Sequence, residues 1–566
     1  MLQFAQTAEA VAGTSGKLAK IALVAQFFLS RSLDEASTAA IFFSGRPVPA
    51  YQQIPLQVGG SMLWQVIAEL SGKAEQDLSD LYRQHGDAGA VAAEALSKTA
   101  RTSVSLAEVQ GAFVEIAAAR GTAAKATRLS QLLKSASPLE AKYVVKIISG
   151  DLRIGLKENL VEAAIARAFD APVTAVQRAN MLLGDIGETL RLAAAGKLAE
   201  ARLRLFHPIA FMLASPAEST EDALAYFENA SVEDKYDGIR AQAHIKPGQA
   251  RLFSRTRDEI TESFPELVPG LAAFPQEAIL DGEILGWSPA NVANAGRALP
   301  FSVLQQRLGR KKVSAKLMQQ VPVAFLVFDI LYANGELLLE SPLRERQGKL
   351  ASYLALPRSA VALQPPGQVS FAFEASDTAA RDLILRAPVS AAHTPEDLEQ
   401  LFIAARARGN EGLMIKDPSS MYTPGRRGKS WLKMKRELAT LDVVVTAVEY
   451  GHGKRIGVLS DYTFAVWDDN RLVNIGKAYS GLTDREIADM TKWFLAHKIK
   501  EKGLRLDVEP KIVLEVAFNN IMRSKRHESG YALRFPRILR LRPDKLPQDA
   551  DTIQAVHEIF APQHSG

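Results

Sequence analysis

The sequence predicts a multidomain protein: an all-α N-terminal part, a mixed α+β middle and a small β-barrel at the C-terminal end. Three observations carry that prediction. At 566 residues the chain exceeds what one hydrophobic core serves, and its length favours about three or four domains. The first 200 residues are rich in Ala and Leu, with apolar side chains recurring at spacings of three and four. From about Phe206 that texture gives way to short alternating runs between glycines and turns, and closely spaced short strands begin near Leu441. We place the domains at 1–205, 206–438 and 439–566.

In the first part, Ala92 to Leu96 and Leu160 to Phe169 show the helical period. Ser137-Pro138-Leu139-Glu140 is a helix start, with serine as N-cap, proline in the first turn and glutamate closing a capping box. That helix should run to about Ser149, where Gly150 ends it. In the middle part, Ile239, Ala241 and Ala243 alternate with Arg240, Gln242 and His244 as in a half-buried strand. Ala278 to Leu280 and Val323 to Ile330 are further strands, and 356–370, with Pro365-Pro366-Gly367, reads as a loop. In the last part, Val443 to Val445, Tyr462 to Trp467, Arg471 to Ile475 and Ile512 to Ala517 are strands, and a helix spans Asp484 to Lys498.

Composition excludes more than it identifies. With 47% hydrophobic and 23% charged residues the chain has an ordinary globular make-up. It has no run of eighteen apolar residues and no basic-then-apolar start, so neither a membrane span nor a signal peptide is expected. The absence of cysteine excludes disulfides, cysteine zinc sites and thiolate nucleophiles, and fits an intracellular protein. Net charge is +5, with 20 Lys+Arg against 19 Asp+Glu in residues 1–200 and 19 against 17 in 441–566. Any nucleic-acid surface must therefore be sorted out by the fold.

The chemistry concentrates in Glu233-Asp234-Lys235-Tyr236-Asp237-Gly238-Ile239-Arg240, which contains K-x-D-G-x-R. An amine, a carboxylate, a backbone that can approach closely and a guanidinium suit a lysine that attacks a nucleotide phosphate. Such a lysine must be neutral, against a free pKa of about 10.4, and neighbouring positive charge both lowers that value and stabilises a phosphate. Trp431-Leu432-Lys433-Met434-Lys435 supplies two lysines that share a strand face, although a solvated edge strand would show the same pattern. Glu283, Asp329 and Glu411 are carboxylates suited to a hard divalent cation or a ribose hydroxyl, although each alone is more often an ordinary exposed acid.

In order along the chain stand K-x-D-G-x-R, Ser254-Arg255-Thr256, Asp281-Gly282-Glu283, Phe328-Asp329-Ile330-Leu331, Glu411 to Lys416 and Trp431 to Lys435. This series resembles the nucleotidyltransferase motifs of ATP-dependent DNA ligases. Leu533-Arg534-Phe535-Pro536-Arg537 and Arg540 to Lys545 are similar to that family's C-terminal R-x-D-K element, and Asp151 to Gly155 to a segment of its helical DNA-binding domain. The resemblance implies an adenylation domain followed by an OB-fold. It implies that Lys235 takes AMP from ATP, that Glu233 accepts from the adenine amine, that Arg240 and Glu283 hold the ribose, and that Phe328 stacks on the base. Lys433 and Lys435 would contact the α-phosphate, Arg255 and Arg427 phosphates of AMP or the nick, and Glu411 with Glu283 a magnesium ion, manganese being the alternative. Arg542, Asp544 and Lys545 would orient pyrophosphate, with a hinge near Ala439 to Asp442.

The implied partner is nicked double-stranded DNA, bound through phosphates whatever its sequence. Lys142, Lys146, Arg153 and Lys157, around two helix ends, form a candidate patch, which a plain solvated face would also explain. Gln26-Phe27-Phe28 is similar to a sliding-clamp-binding pattern but lies in a helical apolar run, which assigns it to the core. Gly309 to Lys312 is too short for a localisation signal. The expectation is a monomeric, cytoplasmic, nucleoid-associated enzyme of compact bacterial or archaeal type. An RNA ligase, an mRNA-capping enzyme and a non-catalytic nick-binding scaffold are the competing readings; an NAD-dependent ligase is disfavoured by the missing cysteines.

Overall fold

The computed structural model describes all residues except 53–54, 98–102, 151, 228, 289–295, 308–309, 311–312, 359–382, 436–438, 453–454, 456 and 565–566. Asp151, Lys311 and Lys312, and most of the expected 356–370 loop, therefore lie outside the described residues. The chain packs as two compact units. One comprises Met1–Asn180, Asp185–Ala201 and Glu437–Ser565, the other Met181–Gly184 and Arg202–Arg436. Among the described residues no helix is long and apolar enough to cross a membrane.

In the first unit, the regular elements among the described residues before 201 are all helices, from Leu2–Ala12 through Ile186–Ala194. The helix expected after Ser137 spans Pro138–Ile148, and the Glu140 carboxylate accepts from the Ser137 amide and hydroxyl, both at 2.8 Å. Its buried face carries Tyr143, which meets Phe4 edge-on at 6.2 Å in a core that also holds Phe28, Phe42, Phe43 and Phe113. Phe27 and Phe28 are both buried in that core, so the Gln26-Phe27-Phe28 triplet offers no free aromatic pair to a clamp.

The C-terminal part of this unit is built on Ala439–Tyr450, which pairs with Leu459–Asp468, Arg505–Val508 and Val513–Phe518. Arg471–Ala478 and Arg537–Leu541 extend the sheet. Alternating Leu441, Val443 and Val445 face Phe464, Val466, Leu514 and Val516 in one core. The helix here is Asp484–Ala496, shorter than the sequence suggested. Residues Lys498–Lys502 are instead a fully exposed strand paired with Arg505–Val508.

The second unit contains two sheets. One has the strand order Leu213–Pro216, Arg427–Met434, Gly412–Lys416, Ala230–Lys235, Ser390–Ala392. The other runs Gln249–Ser254, Ile239–Lys246, Ala278–Ser288, Val323–Ala333, Glu336–Leu337. The alternation read at 239–244 holds: Ala241, Ala243 and Ile245 enter a core with Leu280, Val323 and Phe325. On the opposite face His244 is buried; its Nδ1 accepts from the Phe206 amide at 3.0 Å and its Nε2 lies 2.9 Å from Gln242 Oε1. Gln242 in turn bonds both backbone groups of Ile209, fastening the entering chain to the sheet.

Candidate active site

Strand alternation assembles the site. In the first sheet Ala230, Val232, Leu413, Ile415, Leu432 and Met434 point into one apolar cluster. The intervening residues share the other face: Ser231, Glu233 and Lys235 on one strand, Met414 and Lys416 on the next, Trp431 and Lys433 on the third. The register sets Met414 between Glu233 and Lys433, and Lys416 between Ser231 and Trp431.

After Lys235 the chain turns through Tyr236-Asp237-Gly238 into Ile239–Lys246 of the other sheet. Gly238 is obligatory there, because a Cβ would run into the Ile284 carbonyl oxygen and the Leu285 side chain. That crossing brings Arg240 and Glu283, paired across their strands, toward the nucleophile.

The Lys235 ammonium pairs with the Glu411 carboxylate, and the Glu411 amide donates to the Lys235 carbonyl at 2.8 Å. Burial and the nearby charges of Lys435, Lys235, Arg427 and Arg255 lower the pKa of Lys433. Four cations thus act on Lys433, a field that favours phosphate there. Burial pushes the Glu283 carboxyl up to about 8, against the opposing charges of Lys235 and Arg240.

Glu233 is 4% exposed and Lys416 1%. The Lys416 ammonium donates to Glu233 Oε2 at 2.6 Å, whereas Glu233 Oε1 is buried without a hydrogen-bond partner. The same ammonium lies 4.3 Å from the Phe328 ring centroid and 4.4 Å from that of Trp431. Arg240 donates to both oxygens of Asp281, at 3.1 and 2.8 Å, and to the Met212 carbonyl at 2.6 Å, and its guanidinium lies 5.5 Å from the Phe328 ring. Tyr422 donates to the same Asp281 at 2.7 Å.

Two expectations need correction. Asp329 is no ligand for a cation or a ribose, because it is fully buried and bonds Arg346 in a fork, at 2.8 and 2.9 Å. Lys146 is no surface contact either. It is buried, with its ammonium on Asp87 at 2.7 Å and on the Leu152 carbonyl at 3.0 Å. Together with buried Lys20, which donates to the Ile154 carbonyl at 2.6 Å, it holds the 152–155 loop from inside. Of the other three patch residues, Lys142 pairs with Glu9, Arg153 is exposed with φ +53° while donating to the Gly86 carbonyl, and Lys157 is exposed. In the C-terminal part, Arg542 bonds Asp442 and Asp544, and Lys545 bonds Asp442. Sequence reasoning assigned no role to Lys416, Trp431, Asp281 or Tyr422; the alternation that pairs Lys433 with Lys435 also places Trp431 and Lys416 on the lysine face.

Family models for the DNA ligase N terminus, the ATP dependent DNA ligase domain and the ATP dependent DNA ligase C terminal region match residues 1–166, 211–435 and 455–545. A probable DNA ligase of Koribacter versatilis is 55% identical over 567 residues, covering 100% of this chain and 97% of that one. The DNA ligase of Methanothrix thermoacetophila is 36% identical over 576 residues, covering 99% and 98%. The chain belongs to the ATP-dependent DNA ligases. Its fold is similar to that of the solved structure Pmar-Lig_PreS3, with a TM-score of 0.60 at 16% identity over 95% of this chain and 99% of that chain.

As a member of that family the chain is an enzyme that uses ATP and acts on DNA. For this ligase, residues 211–435 hold Lys235 and the groups around it, within the ATP dependent DNA ligase domain. Among the described residues no group of three or more His, Asp or Glu side chains is poised to hold a metal ion. Glu283 and Glu411, both near Lys235, still suit a magnesium ion that keeps its waters and takes remaining ligands from phosphate.

Proposed function

We propose that this ligase seals 5′-phosphate/3′-hydroxyl nicks in duplex DNA through a lysyl-AMP on Lys235 and then a DNA-adenylate. The observation that carries this reading is the gathering of Lys235, Lys435, Arg255 and Arg427 near Lys433, with the buried acid Glu233, one oxygen unpaired, on the same strand as Lys235. In the first step the Lys235 ammonium gives up a proton to solvent and the neutral amine attacks the α-phosphorus of ATP; a P–N bond forms, the bond to pyrophosphate breaks, and the nitrogen sheds its second proton to leave the phosphoramide. The surrounding cations stabilise the charge on the phosphoryl oxygens. Glu411, held against the nucleophile, receives its ammonium as an ion pair before reaction.

The base would lie against Phe328, with its exocyclic amine on Glu233 Oε1, and the ribose toward Arg240 and Glu283. A magnesium ion held by Glu283 and Glu411 would neutralise phosphate charge and align oxygens for in-line displacement. Arg542, Asp544 and Lys545 would serve pyrophosphate during self-adenylation, with the chain pivoting near Ala439 to Asp442. Arg153 and Lys157 are the DNA-patch residues that remain exposed to meet phosphate.

Incubation with ATP labelled at the α-phosphate and magnesium should leave label on the protein, lost in Lys235→Ala. Sealing of a nicked DNA duplex beside the matching RNA duplex, with ATP and NAD compared, tests the acceptor and the donor. Label that persists in Lys235→Ala removes Lys235 from the reaction, and GTP outperforming ATP points to a capping activity.

A further inference from the structure

We propose that Lys416 is the positioning residue that sets the sense of base recognition, by keeping Glu233 an acceptor, so that the pocket takes a base presenting an N–H donor at that point. The proposal rests on the adenylation reading above and goes beyond it in naming what makes the acid selective.

A carboxyl group can recognise either kind of base edge. Ionised, it only accepts hydrogen bonds; protonated, it also donates one. Adenine presents an amine donor where guanine presents a carbonyl acceptor. A buried acid therefore discriminates only if its protonation state is fixed. Burial, reinforced by the charges of Asp329 and Asp281, holds the Glu233 carboxyl above the ordinary carboxylate range, and Lys416 is the group that opposes that shift. The two acids are themselves occupied, Asp329 by Arg346 and Asp281 by Arg240 and Tyr422, which leaves Lys416 as the cation that bonds Glu233.

The geometry gives Lys416 a second effect. Its bond engages Oε2 and so leaves Oε1 as the acceptor still without a partner. Its own ammonium is surrounded by the Glu233 carboxylate and the faces of Phe328 and Trp431, which fix its position. Neither Lys416 nor Glu233 forms a bond to phosphorus. Their role is to select the nucleotide, and the reaction at Lys235 is otherwise unchanged.

The test compares labelling of the full chain by α-labelled ATP and GTP, expressed as a ratio so that effects common to both nucleotides cancel. In Lys416→Met the ATP preference should fall by at least about tenfold at pH 7 and recover as pH rises and Glu233 ionises. The double variant Lys416→Met with Glu233→Gln removes both buried charges together, a change that buried pairs tolerate in folding. It should show a low ATP preference that does not vary with pH, because an amide presents both a donor and an acceptor. A wild-type chain that takes no label on Lys235 sinks the adenylation reading and this proposal with it. A labelled wild type whose ATP:GTP ratio survives in Lys416→Met, or in the double variant, sinks this proposal alone.

Discussion

Asp442 Oδ1 accepts from the Arg542 guanidinium at 2.8 Å, while its Oδ2 accepts from Lys545 at 2.6 Å. A single acid at the start of the Ala439–Tyr450 strand thus occupies both cations of the element proposed to meet pyrophosphate. Arg542 also holds Asp544, whose carboxyl it lowers to about 2. Releasing the cations has a cost set by Asp442. In Asp442→Asn the rate of lysine labelling at subsaturating ATP should rise by about fivefold, the scale of one surface ion pair. Single-turnover labelling measures it, and a rate that falls instead shows that Asp442 orients Arg542 for use.

Asp329 and Arg346 are both fully buried and doubly bonded. Removing one partner strands the other charge, so Asp329→Ala should cost about 3–5 kcal/mol of stability. Chemical denaturation followed by Trp fluorescence reads this loss. If Asp329 were instead a cation ligand, the variant would fold normally and lose only its response to magnesium.

His244 gives an acid-side prediction. Burial, with a smaller contribution from the charge of His207, lowers its pKa to about 3, so the folded chain holds it neutral. An unfolded histidine titrates near 6.5. The stability this neutral group contributes is complete above about 6.5 and falls, by up to about 1.4 kcal/mol per pH unit, as pH drops toward 3. The urea midpoint of wild type should decline through that window more steeply than that of His244→Gln. Parallel curves would mean that His244 is not the group responsible.

The DNA patch should split by burial. Lys157→Ala should lower the slope of log affinity against log salt by about 0.9 for a nicked duplex, as expected for one lost phosphate contact. Lys146→Ala should leave the slope unchanged and lower thermal stability instead, since its ammonium holds Asp87 and the 152–155 loop. Filter binding at several salt concentrations, with a melting curve for each variant, separates the two.

What the sequence made legible was local. The Ser137 capping box and the alternation at 239–244 each depend on neighbours within a few positions, and both stand in the structure. What it hid depends on distant partners. Asp329 looks like any acid on a strand until Arg346, on the Leu343–Leu354 helix, covers it. Lys146 looks exposed until Asp87 arrives from another helix end. The Lys498–Lys502 strand has no apolar face to announce it, and pairing with Arg505–Val508 alone defines it. Lys416 was visible inside a motif, yet its bond to Glu233 needs the register of strands nearly two hundred positions apart in sequence.

The alternation that sorts core from chemistry also decides what kind of mutation the site survives. A substitution at Val232 or Leu432 alters one contact and leaves every other side chain facing as before. Deleting a single residue within 231–235 or 412–416 would swap the two faces of that strand, sending Glu233 or Lys416 into the apolar cluster and Val232 or Ile415 toward the nucleotide. Laboratory or natural drift here should therefore accumulate as amino-acid exchanges at constant length, with insertions and deletions confined to the connecting loops.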